Sequence, residues 1–225
     1  MKRIYELSSG NIVSINLQGG EPLLHPDLIR IFEISRSYFS DSIIRLITNG
    51  LLLSYMEKDF WIAAKINNIF IAPTKYPINV SWDDIENIAA QYEVKMYYYN
   101  SGYHSGKGSY KETMMCTQID IEGKQYQMDS YLNCFQGNRC IQLRNGRFYT
   151  CAIAAYAEYF IKYFNLHLRI SDADSIDIYK ATNMQEILEF LARPIPFCRY
   201  CRVDMEPYYH VWQISEKKIT EWTGI

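Results

Sequence analysis

Six cysteines, Cys116, Cys134, Cys140, Cys151, Cys198 and Cys201, all lie in the second half of a 225-residue chain. A thiolate is a soft metal ligand and a nucleophile, so their spacing decides what chemistry they offer. In "CIQLRNGRFYTC" the pair Asn145-Gly146 predicts a two-residue hairpin turn. That turn sets Arg144 opposite Arg147, Leu143 opposite Phe148 and Cys140 opposite Cys151, with facing Cβ atoms about 4.5–5.5 Å apart. In "PIPFCRYC" the Cys198-x-x-Cys201 turn aims two sulfurs the same way, and its prolines limit the loop. Four thiolates, Cys140, Cys151, Cys198 and Cys201, suit a tetrahedral zinc or a four-cysteine iron–sulfur cluster. Spacing alone does not choose between the metals. Cys134 is a substitute for Cys140, and Cys116 stands alone as a structural residue. The competing reading is a set of buried small apolar residues or an incidental redox pair. His25, beside Pro26, reads as a helix-entry residue, and His104, His167 and His210 have no spaced partner.

Composition narrows the setting. A hydrophobic content of 48% against 21% charged residues is that of a folded protein. The net charge of -2 gives no reason to expect nucleic acid or an anionic membrane as partner. No apolar run approaches the roughly 18 residues of a membrane span, and "MKRIYELSSGN" is not a secretory signal. A cytoplasmic location follows as an expectation, and in a reducing compartment a cysteine cluster points to metal rather than disulfides.

The first half must position whatever chemistry it has through alternating strands and helices. Strands are predicted at 13–18, 42–48, 68–72 and 94–99. Helices are predicted at 26–39, from Ser54 (with Glu57 three residues on, a capping-box pattern) and from Ser81 and Asp84. The spacing of strand starts is close to the roughly 30 residues of a strand–helix–strand unit, which implies a parallel sheet, open or closed as a barrel. In either form the chemistry sits at the carboxyl ends of the strands. Those ends carry Gly19–Pro22, Thr48–Asn49–Gly50, Pro73–Thr74–Lys75 and Asn100. "NSGYHSGKGSYKE" (100–112) reads as a linker or exposed loop, and helices are predicted over "AAYAEYFIKYF" and "NMQEILEFLAR".

In "INLQGGEPLLHP" the strand stops at Gly19, Gly20, Glu21 and Pro22. Glycines let a backbone approach a ligand closely, although the same residues also serve a plain strand-to-helix connection. "GGEP" after a parallel strand, then "IIRLITNGLLL", the Gly146-x4-Cys151 pattern and the terminal "PFCRYC" together resemble the radical SAM superfamily. More narrowly they are similar to its members with a SPASM or twitch auxiliary-cluster domain.

The resemblance implies an α/β fold: a partial parallel (β/α) barrel over 1–112, followed by a small Cys-rich α+β auxiliary-cluster domain over 113–225. It implies that Gly19, Gly20, Glu21 and Pro22 hold the amino group of S-adenosylmethionine, with Thr48 and Asn49 facing the same cofactor. It implies an auxiliary [4Fe-4S] cluster on Cys140 (or Cys134), Cys151, Cys198 and Cys201, with zinc as the lesser alternative. The family's Cys-x3-Cys-x2-Cys loop, which holds the catalytic cluster, has no counterpart, since no cysteine precedes Cys116. The expectation is therefore a barrel lacking its first strand, prone to self-association through an exposed strand edge and unable by itself to cleave the cofactor. The intact form would modify a peptide, sugar or small metabolite through a 5′-deoxyadenosyl radical. The alternative is a non-catalytic iron–sulfur or zinc module that binds a partner or substrate.

Overall fold

The computed structural model describes residues 1–98, 110–137, 139–203 and 208–223, excepting the side chains of 114–116 and 208–210. They divide into two compact units, Met1–Thr113 and Met114–Ile225.

The first unit is α/β. After helix α1 (Lys2–Ser8), strands β1 (Ser14–Leu17), β2 (Ile43–Thr48) and β3 (Ile69–Pro73) form a parallel sheet in the order β1-β2-β3. Its register sets Leu17 beside Leu46 and Leu46 beside Ile71. Helices α2 (Leu28–Tyr38), α3 (Lys58–Ile66) and α4 (Trp82–Gln91) connect and follow the strands. The helical period predicts faces of Leu28, Ile31, Phe32 and Ser35 in α2 and of Ile85, Ile88, Ala89 and Tyr92 along α4; Leu28, Phe32, Ser35, Ile85 and Ala89 are buried, and Ile31, Ile88 and Tyr92 are half-buried. They join Ile44, Leu46, Leu53, Trp61 and Ile71 in one apolar core.

Two boundaries differ from the sequence pattern. The helix expected from Ser54 starts at Lys58, with Glu57 as its N-cap and no side-chain cap bond. Leu53 is drawn fully into the core, and a 3-10 turn over Leu53–Tyr55 leaves Ser54 facing out, where it caps nothing. The strand expected at 94–99 shrinks to a single parallel bridge between Ile71 and Met96. Its hydrogen bonds run from Ile71 N to Lys95 O (3.0 Å) and from Tyr97 N to Ile71 O (2.8 Å). The segment 99–109, with Asn100 and His104, lies outside the described residues. Strand β1 forms one edge of the sheet; it is half-buried at best, and the preceding Val13 is 84% exposed.

The second unit mixes short strands with helices. Strand β4 (Thr113–Cys116) neighbours β10 (Tyr208–Val211), and β5 (Gln118–Ile119) runs antiparallel to β9 (Cys201–Arg202). Strands β6 (Gln142–Arg144), β7 (Arg147–Tyr149) and β8 (Ile176–Asp177) form an antiparallel sheet. Asn145 and Gly146 take the two positive φ angles, 49° and 73°, that a tight hairpin requires. Helices α5 (Gln127–Leu132), α6 (Ala152–Phe164), α7 (Met184–Leu191) and the short α8 (Thr220–Thr223) complete the unit. Ile187, Phe190, Leu191, Ile195 and Phe197 are buried within it. No helix among the described residues is long and apolar enough to cross a membrane.

Candidate metal centre

Three segments of the second unit bring cysteines to one place. The first is the hairpin. Its pairing is the expected one, Arg144 with Arg147 and Leu143 with Phe148, but the ladder ends at Gln142–Tyr149. Two residues beyond, Cys151 leaves the strand and becomes the N-cap of α6, its sulfur accepting from Ala154 N at 3.5 Å. The positive end of a 13-residue helix favours a thiolate there.

The second segment is the 3-10 helix Pro196–Tyr200, which carries Cys198 and hands Cys201 to β9. Asp174 anchors it from below. Only 1% exposed, its carboxylate accepts from Phe197 N at 2.6 Å, Ser171 N at 2.7 Å and Ser171 Oγ at 3.0 Å. Ser130 Oγ donates to Cys201 O at 2.9 Å.

The third segment is the turn after α5, which places Cys134. Tyr131 OH donates to Leu191 O at 3.0 Å and Gln127 Nε2 to Pro196 O at 3.3 Å, so α5 is docked on the Cys198 turn. Gln136 N donates to the Cys134 sulfur at 3.4 Å.

Cys134, Cys151, Cys198 and Cys201 line a single cavity of ≈ 20 Å³, walled otherwise by Ile153, Ile195 and Phe197 among others. Cys140 is exposed and is not among the lining residues. The early end of the hairpin ladder is the reason: Cys140 closes a turn on Gln136 (N to O, 3.0 Å) instead of pairing across to Cys151. The Cys116 side chain is not among those described.

Among the described residues no three of the His, Cys, Asp and Glu side chains converge closely enough to ligate a single ion. A zinc with four sulfurs at about 2.3 Å requires those sulfurs roughly 3.8 Å apart. A polynuclear cluster spreads its thiolates wider, because each binds a different iron. The cavity has room for about one water, so a cluster needs one wall to give. The segment 133–141, without helix or strand among its described residues, is the wall with least to lose.

Burial governs the protonation of these thiols. Desolvation pushes the Cys151 thiol up to about 11, and Cys201 is raised well above the ordinary thiol value. Burial likewise raises Cys198 and Cys140, and the neighbouring sulfurs add to the effect. Metal-free Cys151, Cys198 and Cys201 are therefore neutral at pH 7–8, and loading releases their protons, so metal affinity rises with pH. For folding the sign is opposite. A thiol whose folded value is raised contributes stability that is complete below pH 9 and is lost as pH rises toward 11. The metal-free second unit is expected to lose about 2 kcal/mol from Cys151 alone between pH 8 and pH 11. Urea titrations of wild type and Cys151→Ala across that range measure it, and equal slopes would refute it.

The strand ends of the first unit are built differently. Glu21 reaches across from the end of β1 to the end of β2. Its Oε1 accepts from Leu23 N at 3.1 Å and from Thr48 Oγ1 at 2.7 Å, and its Oε2 accepts from Asn49 N at 3.1 Å. Thr48 is buried, and its hydroxyl also accepts from Gly50 N at 3.1 Å. Asn49 caps its own turn, with Oδ1 accepting from Leu51 N at 2.9 Å. Gly50, at φ 82°, leaves room for the Trp82 ring, which a Cβ would strike.

Pro22 starts the 3-10 turn that leads to His25, and His25 Nδ1 accepts from Asp27 N at 3.1 Å, the helix-entry role its position suggested. Gly19 and Gly20 are exposed, neither has a left-handed φ, and a Cβ on either would meet nothing within 4 Å. The fold itself does not demand glycine at these two positions.

One group, Asp174, was not singled out from the sequence. It was legible in principle, because Ser171-x-x-Asp174 is a capping-box pattern and forms one. Lys75, at the end of β3, is buried with its Nζ 4.2 Å from the Tyr98 ring centroid and 3.9 Å from a Glu86 oxygen, an arrangement set by residues distant in sequence. A scan of the chain against protein-family models finds no match, and a search of curated proteins finds none either.

Proposed function

We propose that the second unit is an iron–sulfur module in which Cys134, Cys151, Cys198 and Cys201 hold one four-iron cluster. The observation that carries this reading is that these four thiols, and not Cys140, line one buried cavity. Backbone N–H groups already point at the Cys134 and Cys151 sulfurs, as they do where protein dipoles tune a cluster. We further propose that the chain is a radical SAM type protein, its first unit a partial barrel. Gly19 and Gly20 leave an open, unhindered backbone at a strand end, which suits close approach of S-adenosylmethionine. Beside a catalytic cluster, that cofactor would supply a 5′-deoxyadenosyl radical to a substrate. In this reading Glu21 shapes the turn, and its carboxylate is engaged with the chain's own donors.

Anaerobic reconstitution with iron and sulfide tests the module. About four irons per chain with broad visible charge-transfer absorption are expected, and stoichiometric zinc without iron under the same conditions would refute the cluster. The same preparation is expected not to convert S-adenosylmethionine to 5′-deoxyadenosine and methionine, because no cysteine precedes Cys116 to hold a catalytic cluster. Turnover above a buffer blank would show the active site to be elsewhere. A second reading, a non-catalytic module, is favoured by the engagement of Glu21. Equilibrium dialysis with S-adenosylmethionine separates the two, since the module alone has no reason to bind it.

A further inference from the structure

The four-thiol reading leaves Cys140 without a task, and its position supplies one. It sits at the end of a seven-residue loop that starts at Cys134, folded back by hydrogen bonds from Arg139 N and Cys140 N to Gln136 O, both 3.0 Å. Inside that loop a Cβ on Gly137 would stand 3.5 Å from the Cys134 Cβ, so the loop closes tightly on the Cys134 side chain. Cys140 is exposed while Cys134 lines the cavity, and the Cys134 sulfur lies close enough to add to the upward push on the Cys140 thiol.

We propose that Cys134 and Cys140 form a thiol switch that reports whether the cluster site is filled. This rests on Cys134 being a ligand. With the site filled, the Cys134 sulfur is bound to iron and Cys140 stands alone at the surface. With the site empty, Cys140 is the accessible thiol and Cys134 its neighbour. A small disulfide such as oxidised glutathione is the oxidant. The Cys140 thiolate attacks one of its sulfurs, forming a mixed disulfide and releasing one glutathione thiolate. The Cys134 thiolate then attacks the Cys140 sulfur and releases the second. Two protein thiols are oxidised to one disulfide, one glutathione disulfide is reduced to two thiols, and the two protons lost by Cys134 and Cys140 end on the two glutathione sulfurs. The product removes one of four ligands, so the oxidised chain does not take up a cluster until it is reduced.

Tryptic mapping reads the switch directly, because cleavage after Lys124, Arg139 and Arg144 puts Cys134 in peptide 125–139 and Cys140 in peptide 140–144. Metal-free protein treated with oxidised glutathione is expected to give these two peptides linked, and reconstituted protein to give only the glutathione adduct on 140–144. Cys140→Ala is expected to load iron fully, to form no such link and to keep its ability to load after oxidant treatment. If Cys140→Ala loses the cluster and Cys134→Ala keeps it, the ligand assignment is wrong and the switch falls with it. If the ligand assignment holds but metal-free protein stops at the Cys140 adduct, or links Cys140 to another cysteine, the switch alone is refuted.

Discussion

Serine at Cys134, Cys151, Cys198 or Cys201 is expected to remove more than roughly nine-tenths of the iron bound after reconstitution, whereas serine at Cys140 leaves it unchanged. A serine oxygen is a harder and far less acidic ligand than a thiolate, and iron–sulfur clusters are held by thiolates. Cys201 is the most demanding of the four. It is 7% exposed, and its carbonyl is bonded to Ser130 and its strand to β5, so no neighbouring residue can move in to replace it. Cys134 differs because Cys140 lies in the same loop, and the contrast between these two variants decides the assignment. Iron analysis and visible absorbance measure the result, with circular dichroism of the metal-free proteins as the folding control. Equal losses at Cys134 and Cys140, or retention at Cys201, would break the four-ligand set.

The second large effect concerns Glu21. Its carboxylate accepts three hydrogen bonds, two of them from the β2 end, and so ties two adjacent strand ends together. Bonds to an ionised acceptor contribute about 1.5–3 kcal/mol each where buried, and less where water can replace the lost partner. Glu21 is half-buried, so Glu21→Ala is expected to cost about 3 kcal/mol in the first unit. Amide exchange at Leu23 and Asn49 should quicken on the order of a hundredfold, as their shared acceptor is gone. Glu21→Gln keeps one acceptor oxygen and should lose about half of that. A Glu21→Ala protein with unchanged exchange and an unchanged melt would mean that the carboxylate is held for a ligand instead of for the turn.

Periodicity made the first unit legible. Apolar spacing in 28–35 and 85–92 marked the buried faces of α2 and α4, and the Asn145-Gly146 turn marked the hairpin and its register. Both are local signals, and neighbours within a few residues determine them. What failed was decided at longer range. Ser54 carries a capping pattern, but the demand of the core for Leu53 turned the chain before a helix could start there. Cys140 stands opposite Cys151 on paper, yet the ladder stops short and the chain at Cys140 turns toward Gln136. The candidacy of Cys134 was visible from its residue type. Its place in the cavity depends on the Tyr131 and Gln127 bonds to Leu191 and Pro196, some 60–70 positions away, and no short window of sequence contains them.

The cysteines that line the cavity are widely separated along the chain, Cys134 from Cys201 by 67 positions. A group bound to both therefore closes a long loop, and in the unfolded chain a closure of that length is worth about 4 kcal/mol of lost freedom. If that group is the proposed cluster, iron supply becomes a determinant of lifespan. Chains made in iron-poor cells would open more often, meet proteases more often and be cleared sooner, while filled chains accumulate. On the cluster reading, the steady amount of this protein would follow the metal status of the cell with no change in the rate at which its message is translated.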